Sequence, residues 1–403
     1  MISVDEARRR ILDGLATLPA EQVGLAEAHG RVLAQDVTAR RTQPPSAVSA
    51  MDGYAVRAQD VAQVPVTLTV VAHVPAGTSY EGTLGLNESV RIFTGAPLPD
   101  GANTIVIQED TDGGGETVEV RAGAEAGTYV RPAGLDFSAG ATLLDAGRLL
   151  TARDIGLAAA MNVPWLSVRR RPRVALLLTG DEIVLPGEDV GPNQIVSSNG
   201  FALAGLVAAS GGVPVQLGVA LDDADSLRAA AERARGCDAL VTTGGASVGE
   251  HDLVQQALAD VGLEIDFWRI AMRPGKPLMY GNFQGMPMLG LPGNPVSSMV
   301  CGLLFLRPML RRMLGTHDDG VPRGTALLGE ALGQNDRRED YLRATLDRND
   351  AGEAVATAFA RQDSSMFATL AAADCLIVRP PHAPPAEAGT RVDIVHLGAD
   401  AGL

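Results

Sequence analysis

Residues 174–182 read VALLLTGDE, and this stretch decides the fold class. The five apolar residues Val174 to Leu178 are typical of a strand that is buried on both faces, as the strands of a parallel sheet are. The polar turn at 179–182 ends the strand. Ligands of open α/β sheets bind beyond the carboxyl ends of the strands, so this turn is also the first candidate for a site.

The chain after this strand alternates between helical and strand patterns, as a doubly wound α/β domain requires. The predicted elements are helix 201–209, strand 213–219, helix 226–235, strand 239–242, helix 252–261, strand 265–271 and a last helix from Asn294-Pro295 toward Leu314. Asn294 is a favoured N-cap residue, and proline suits the first helical position. We place this domain at residues 171–315 and interpret the basic run 169–173 before it as a solvated linker.

The regions on either side of this domain carry other patterns. Ser3 and Glu6 form a capping box, and the apolar residues after them recur at helical spacing as far as Leu18. Short alternating runs with Pro and Gly turns predict a β module at 45–140, inserted between two parts of a helical dimerisation domain at 1–44 and 141–170. There, a second helix at 152–161 is expected to pack with the first. Residues 316–403 carry four strand patterns, which predict a small β-barrel or sandwich; these are 341–346, 354–359, 375–378 and 392–395.

Composition excludes several classes of protein. The chain has 403 residues, 46% of them hydrophobic, a formal charge of −15 and a pI near 4.8. Nucleic-acid binding needs clustered positive charge, which this balance opposes. No apolar run approaches the ~18 residues of a membrane span, and the charged N-terminus does not resemble a secretory signal, so we expect a cytoplasmic protein. The three cysteines are isolated and predict neither a disulfide framework nor a thiolate metal site.

A polar turn follows each predicted strand of the α/β domain. The five turns are 179–182, Asp222-Asp223, 244–252, 273–277 and 290–295. The aspartates and Asn294-Pro295 also have a simpler interpretation as helix caps. Glycine turns and helix N-termini on one edge favour phosphate, so together the loops predict a phosphate cradle. The sequence has neither a P-loop nor a dinucleotide fingerprint, which argues against those enzyme classes.

Lys276 is the only lysine among 33 basic Lys and Arg side chains. Its compact ammonium can lie among oxyanion oxygens where a planar guanidinium does not fit, which indicates an anion ligand. Carboxylates at 182, 222, 250 and 252 on the same rim would repel phosphate unless a divalent cation lay between them, which predicts Mg²⁺. His251 is the one histidine near this rim, and a lone histidine is more often structural than catalytic.

Six ordered motifs resemble the molybdopterin molybdenumtransferase family, the MoeA and gephyrin E-domain enzymes. They are SAMDGYAV at 49–56, TGAPLP at 94–99, TGDE at 179–182, SVGE at 247–250, PGKP at 274–277 and GLPGNP at 290–295. The resemblance covers nearly the whole chain. It implies an elongated homodimer of four-domain subunits that inserts molybdate into the dithiolene of adenylylated molybdopterin, with Mg²⁺ and release of AMP. It also implies a molybdopterin adenylyltransferase and molybdoenzyme apoproteins as further partners.

The resemblance assigns roles motif by motif. The catalytic residues it implies are Asp52, Thr94, Glu182, Asp222, Asp252 and Lys276, with Glu182 and Asp252 as metal ligands. The substrate contacts it implies are Thr179, Gly180, Asp181, Gly244, Gly245, Ser247, Arg273, Gly275, Pro292, Gly293 and Asn294, and at more weakly spaced positions Asp136, Arg343 and Ser364. Asp52 and Thr94 come from the inserted module, and the family completes each cleft with the opposite subunit.

The chain departs from the family pattern at several positions. The departures are Ala47-Val48 for Phe-Asp, Asn103 for Asp, Arg273 for Lys, Ala246 for Val and Asp363 for the Gly before Ser364. A carboxylate at 363 would weaken molybdate contact at Ser364, which questions the anion-binding role of the C-terminal domain.

Two other functions compete with this interpretation. A molybdopterin adenylyltransferase shares the segment Thr242-Thr243-Gly244-Gly245, although the residues after it and the flanking domains favour the molybdenumtransferase. A non-catalytic dimeric scaffold of the same fold is the other alternative, which the retention of Asp52, Glu182 and Lys276 opposes. Molybdate and tungstate have the same charge and nearly the same size, so the motifs predict either oxyanion.

Overall fold

A computed structural model of the chain describes residues 1–75, 77–244, 258–260 and 262–398. It confirms the predicted fold class, a doubly wound α/β domain flanked by a β-rich N-terminal region and a C-terminal barrel. Within the described residues, no helix has the length and apolar character needed to cross a membrane.

The N-terminal region consists mainly of short strands. Its helices are α1 Val4–Leu12 and α2 Ala152–Ala160, and its strands are β1 Ala20–Gly24, β2 Val37–Thr38, β3 Val48–Ser49, β4 Gly53–Val56, β5 Val66–Val74, β6 Glu88–Ile92, β7 Thr104–Ile107, β8 Thr117–Val120, β9 Val130–Arg131, β10 Thr142–Leu144 and β11 Trp165–Arg169. The largest sheet has the order β7-β4-β6-β5-β8 and lies entirely within the expected insertion. The two segments on either side of the insertion, 1–44 and 141–170, are joined by two antiparallel strand pairs. These pairs are β1 with β11 and β2 with β10.

The first helix does not pack with the second as expected. Ser3 caps α1, since its Oγ accepts from the Glu6 N–H at 3.1 Å, but the helix ends at Leu12 and does not continue to Leu18. Its apolar side, with Ile11 fully buried, packs into the core of the α/β domain, whereas α2 packs into a separate N-terminal core. The prediction was wrong because an apolar stripe shows that a partner exists without identifying it.

The α/β domain is built on a six-stranded sheet. Its elements are β12 Arg173–Thr179, β13 Ile183–Val184, β14 Ile195–Val196, α3 Asn199–Ala209, β15 Val213–Ala220, α4 Ala224–Glu232, β16 Ala239–Thr243, β17 Leu263–Trp268, β18 Met272–Arg273, β19 Met279–Phe283, β20 Met286–Leu291, α5 Pro295–Cys301 and α6 Arg307–Met313. The order is β15-β12-β16-β20-β19-β17, with β19 antiparallel to its neighbours. The carboxyl ends of the other five strands therefore share one edge.

Several elements differ from the sequence predictions. The hairpin β19–β20 was missed; Gln284-Gly285, both with positive φ, forms its turn. The strand predicted at 265–271 ends at Trp268, because Arg269 has a φ of 89°. The last helix contains a π turn at Gly302–Leu306 between α5 and α6. Most of the helix predicted at 252–261 lies outside the described residues.

The basic run 169–173 is not a solvated linker. The Arg170 guanidinium donates to both carboxylate oxygens of Asp238 at 2.6 and 2.9 Å, and the Arg173 N–H donates to the same carboxylate at 2.7 Å. Arg169 donates to the carbonyl of Leu18 at 3.0 Å. The arginines therefore tie the N-terminal region to the edge of the sheet.

The C-terminal region forms a closed barrel, which confirms the prediction. Its elements are β21 Arg323–Leu328, β22 Glu339–Arg348, β23 Ala354–Ala358, α7 Phe367–Ala371, β24 Cys375–Arg379 and β25 Arg391–His396. The order β22-β23-β21-β25-β24 closes through a β22–β24 pairing, and β18 adds to β22 from the α/β domain. One apolar core includes α1, the sheet, α5, α6 and barrel residues, which places barrel loops at the carboxyl edge of the sheet.

Candidate functional site

A cleft of about 880 Å³ lies between the carboxyl edge of the sheet and the barrel. Loops from both domains line it, as expected where parallel strands end. The predicted site residues that line it are Thr179, Glu182, Gly244, Arg273, Gly275, Lys276, Pro292, Gly293, Asn294 and Ser364. The packing of the barrel against the α/β domain thus brings together residues that are up to 185 positions apart in the chain.

Two glycines allow the loops to close around the cleft. Gly244 has a φ of 96°, and a Cβ there would lie 2.2 Å from the Thr179 carbonyl oxygen. Gly275 has a φ of 116°, and a Cβ there would lie 2.5 Å from Cys301 Sγ. Any side chain at either position would require a strained backbone and a displaced neighbour.

Lys276 supplies a positive charge that no described residue neutralises. Its backbone carbonyl accepts from the Ile270 N–H at 3.0 Å, which fixes the loop. The half-buried side chain has no hydrogen bond or ion pair with any residue that the structure describes. The ammonium is therefore available to an anion in the cleft.

Arg273 lines the same cleft but is committed to the barrel. Its guanidinium bonds the buried carboxylate of Asp340 and lies 3.5 Å from Asp336. The hydrogen bond with Asp340 raises the pKa of Arg273. Barrel carboxylates that are 63 and 67 residues away therefore already pair with this guanidinium, and the predicted role of Arg273 in substrate binding stays a prediction.

The two adjacent aspartates after β15 have different roles. Asp223 is the N-cap of α4, where its Oδ1 accepts from the Ser226 N–H at 2.8 Å. Asp222 does not cap the helix; its own N–H donates to Asp181 Oδ1 at 2.9 Å. Burial, followed by the nearby charges of Asp181 and Glu182, raises the pKa of Asp222. Three other predicted site residues do not line the cleft: Gly180, Asp181 and Asp222. Gly180 has a φ of 136°.

The described acidic residues supply carboxylate oxygens, which are suitable ligands for a hard cation. The Glu182 carboxylate lies over Gly180, where a Cβ would be 2.5 Å from Glu182 Oε2, and it has no basic partner in the described part of the chain. Carboxylate oxygens that repel one another suit Mg²⁺. Within the described ranges, however, no three His, Cys, Asp or Glu side chains converge as a metal site. The predicted residues Gly245, Ser247, Glu250, His251 and Asp252 lie outside the described residues.

A barrel loop closes the other side of the cleft. Ser364 Oγ accepts from Asn294 Nδ2 at 2.8 Å, and its carbonyl accepts from the Val296 N–H at 3.1 Å. The side chain of Asn294 therefore binds the barrel instead of capping α5. Asp363 accepts from the N–H and Oγ of Ser365, and these bonds lower its pKa. Asp363 therefore keeps a negative charge in the cleft lining. This is the departure from the family pattern that the sequence showed before Ser364.

The buried side chain of Arg343 supports the barrel loop that carries Ser364. Its side chain is 1% exposed, donates to Gln362 Oε1 at 3.2 Å and to the Met366 carbonyl at 3.1 Å, and is absent from the cleft lining. Burial lowers its pKa. This geometry makes Arg343 an anchor for the loop that carries Ser364, and its predicted role in substrate binding stays a prediction.

The residues predicted from the inserted module form a second group. Asp52 Oδ1 accepts from the N–H and Oγ1 of Thr94 at 2.7 and 2.8 Å, and these bonds lower the pKa of Asp52. Asp136 lines a different cleft of about 690 Å³, together with Gly95 and Arg131. None of Asp52, Thr94 and Asp136 lines the α/β cleft.

Sequence reasoning missed Asn199, which lies in the cleft at the start of α3. Its Nδ2 donates to Thr243 Oγ1 and to the Gly293 carbonyl, both at 2.8 Å. The only signal in the sequence was its position just before the predicted helix at 201–209. Position alone does not distinguish a helix start from a ligand contact.

Comparisons with known proteins agree with this architecture. Sequence profiles of the MoeA N-terminal region (domain I and II), a probable molybdopterin binding domain and the MoeA C-terminal region (domain IV) match residues 2–162, 175–312 and 325–397. Molybdopterin molybdenumtransferase 2 of Mycobacterium tuberculosis is 36% identical, with 98% of this chain and all of the relative covered. The Nostoc molybdopterin molybdenumtransferase is also 36% identical, with 94% and 90% covered. A molybdopterin biosynthesis MoeA protein of Pyrococcus horikoshii has a TM-score of 0.86 at 30% identity, with 99% of each chain covered.

Proposed function

Because this chain belongs to the molybdopterin molybdenumtransferase family, whose enzymes act in molybdenum cofactor biosynthesis, we propose a specific reaction for its cleft. The reaction is the Mg²⁺-dependent insertion of molybdate into the dithiolene of adenylylated molybdopterin, with release of AMP. We also propose that the enzyme is a cytoplasmic homodimer.

The ammonium of Lys276, which pairs with none of the described residues, is the observation that carries this proposal. Molybdate is a compact dianion, and a point charge with three N–H donors can contact several of its oxygens. The neighbouring Arg273 is held by Asp340, so Lys276 is the basic residue of this loop left for a ligand. Asn294 and Ser364 lie across the cleft and offer neutral polar contacts to the same ligand.

The carboxylates at the strand ends support the metal requirement. Glu182 lines the cleft, and burial, followed by the charges of Asp181 and Glu182, raises the pKa of nearby Asp222. We assign Glu182, together with Asp252, as residues that would hold Mg²⁺. Bound Mg²⁺ would neutralise the charge on phosphate oxygens of the adenylylated substrate. Gly244 and Gly275 would let the ligand approach the backbone closely.

The second group of residues supports a site shared between subunits. Asp52, Thr94 and Asp136 lie on the inserted module and away from the α/β cleft. We propose that this group completes the cleft of the partner subunit. We propose four domains, at 1–44 with 141–170, 45–140, 171–315 and 316–403, and the separate sheets within 53–120, 173–291 and 323–396 support this division.

Purified protein supplied with adenylylated molybdopterin, molybdate and Mg²⁺ tests the proposed reaction. We expect AMP release and protein-bound molybdenum cofactor in equal amounts, and neither product after chelation of Mg²⁺. An adenylyltransferase would instead consume ATP and release pyrophosphate with molybdopterin as substrate. A scaffold would form no product in either assay. Equal concentrations of molybdate and tungstate, followed by metal analysis, would identify the preferred oxyanion.

A further inference from the structure

The amide of Asn199 has an orientation that the protein itself determines. Nδ2 donates to Thr243 Oγ1 and to the Gly293 carbonyl, each at 2.8 Å. A peptide carbonyl can only accept a hydrogen bond, so the group facing Gly293 must be the NH₂ and not the oxygen. The other amide atom, Oδ1, therefore points away from both partners as a fixed acceptor.

This acceptor has no hydrogen-bond partner among the described residues, although it is buried. The hydroxyl of Thr179 is in the same situation, and Thr179 is 1% exposed. Both atoms lie against the end of β16, since Asn199 bonds Thr243, and a Cβ on Gly244 would lie 2.9 Å from Thr179 Oγ1. Two buried polar atoms at the end of one strand without a partner among the described residues are unusual, because nearly all such atoms in folded proteins are satisfied.

Apolar side chains lie beside these atoms in the same cleft. Ile183, Ile195 and Val196 line it, and Ile195 and Val196 are 59% and 47% exposed. An apolar wall beside a fixed acceptor and a hydroxyl suits a planar heterocycle, whose faces are apolar and whose edge carries N–H and carbonyl groups.

We propose that Asn199 Oδ1 accepts a hydrogen bond from the ring amide N–H of the pterin, and that Thr179 Oγ1 bonds the adjacent polar atom of the same ring edge. This inference rests on the proposed function, because it identifies where the pterin half of that substrate binds. The pterin edge presents a ring N–H directly beside a carbonyl, which an acceptor and a hydroxyl can satisfy together. Adenine has no ring amide of this kind, and its exocyclic amino group is its only base donor.

Equilibrium binding of adenylylated molybdopterin and of AMP to Asn199→Leu protein tests this assignment. Leucine keeps the approximate volume and removes the acceptor. We expect the Kd for adenylylated molybdopterin to rise about tenfold or more, as loss of one buried hydrogen bond to a ligand implies, while the Kd for AMP stays within about twofold. Gln216→Leu is the matched control, because Gln216 Nε2 donates to the Gly200 carbonyl of the same helical turn without lining the cleft.

The outcomes separate this inference from the proposed function. Failure of wild-type protein to bind either probe would reject the proposed function. Normal wild-type binding with an unchanged Kd in Asn199→Leu would overturn only the assignment of Asn199, as would equal losses for both probes. A second measurement uses wild-type protein alone and so does not depend on the folding of a variant. Pterin should bind more tightly than its N3-methyl analogue, and equal affinities would also overturn the assignment.

Discussion

The cleft rim of the α/β domain and the C-terminal barrel use polar residues in opposite ways. In the barrel, Asn335 donates to the carbonyls of Arg338, Arg379 and Pro380, so a buried polar side chain joins two chain segments. On the rim, Lys276 and Glu182 have no partner of opposite charge in the described part of the chain. Polar groups that are satisfied internally stabilise the fold, whereas those left unsatisfied are available to a ligand.

The loop at 273–277 shows the same contrast over three residues. Arg273 pairs with a buried barrel carboxylate, and Lys276 pairs with none of the described residues. A planar guanidinium suits a bidentate structural contact, and a compact ammonium suits an exchangeable oxyanion. We expect substitutions of rim residues to change turnover of the substrate and substitutions of barrel residues to change the stability of the fold.

Lys276→Ala should give the largest effect, a loss of molybdate insertion of about a hundredfold or more, because the charge that faces the anion is removed. Lys276→Arg should also be poor, and both variants should retain the wild-type melting temperature. Rates of cofactor formation and thermal unfolding measure these effects. Arg171→Ala removes one positive charge at an exposed position and should be neutral. Near wild-type turnover in Lys276→Arg would refute the argument from ammonium shape.

Mixing two inactive proteins should restore activity if the cleft and the inserted module meet across a dimer. Refolding Asp52→Asn with Lys276→Ala subunits gives heterodimers in which one composite site carries both lesions and the other carries none. About a quarter of wild-type activity is expected from an equal mixture, since about half of the dimers are mixed and each has one intact site. If sites lie within single subunits, a mixture shown to contain heterodimers will stay inactive.

Glu182→Gln should raise the Mg²⁺ concentration for half-maximal rate by about tenfold, because a neutral amide is a weaker ligand for a hard cation. Metal titrations of the rate measure this shift. Glu188→Gln is the control within the same segment, where Glu188 accepts from the Leu185 N–H at 2.6 Å and does not line the cleft. An unchanged titration in Glu182→Gln would remove Glu182 from the metal site.

Arg343→Met should destabilise the barrel by about 1–3 kcal/mol, because Gln362 and two loop carbonyls lose their buried donor. Chemical denaturation measures this loss. The Km for molybdate should rise as the loop that carries Ser364 becomes less ordered, while the metal titration stays normal. A variant with wild-type stability and a large loss of turnover would instead indicate direct substrate contact by Arg343.

Asp222→Asn should produce the smallest effect, a gain of stability at neutral pH. Because the pKa of Asp222 is raised above the ordinary 3.8 in the folded protein, ionisation of Asp222 opposes folding. The free energy of unfolding of the wild type therefore falls as the pH rises from 3.8 to the raised pKa. The variant should therefore exceed wild type at pH 7 and match it at pH values below the ordinary pKa. Asp223→Ala should instead cost about 1 kcal/mol at pH 7 through loss of the α4 cap. Melting curves at both pH values test the pair.

The sequence predicted much of the site because its signals are local. The apolar run before Thr179, the glycine turns and the solitary lysine depend on neighbouring residues, and the parallel topology then brings their loops to one edge. The roles implied for Gly245, Ser247 and Asp252 stay predictions, because they lie outside the described residues. The alternating strand patterns at the C-terminus predicted a small barrel or sandwich, and only the structure showed that the sheet closes and in which strand order.

By itself, the sequence determined the fold class, the strand-end loops and the family, since these depend on periodicity and on contiguous motifs. Only the tertiary structure decided the partners of individual side chains. It placed α1 in the α/β core, engaged Arg273 with Asp340, buried Arg343 beneath its loop and oriented the Asn199 amide. The physical reason is that each of these partnerships joins residues tens to hundreds of positions apart. Whether a polar group is satisfied therefore depends on the completed packing and not on its neighbours in the chain.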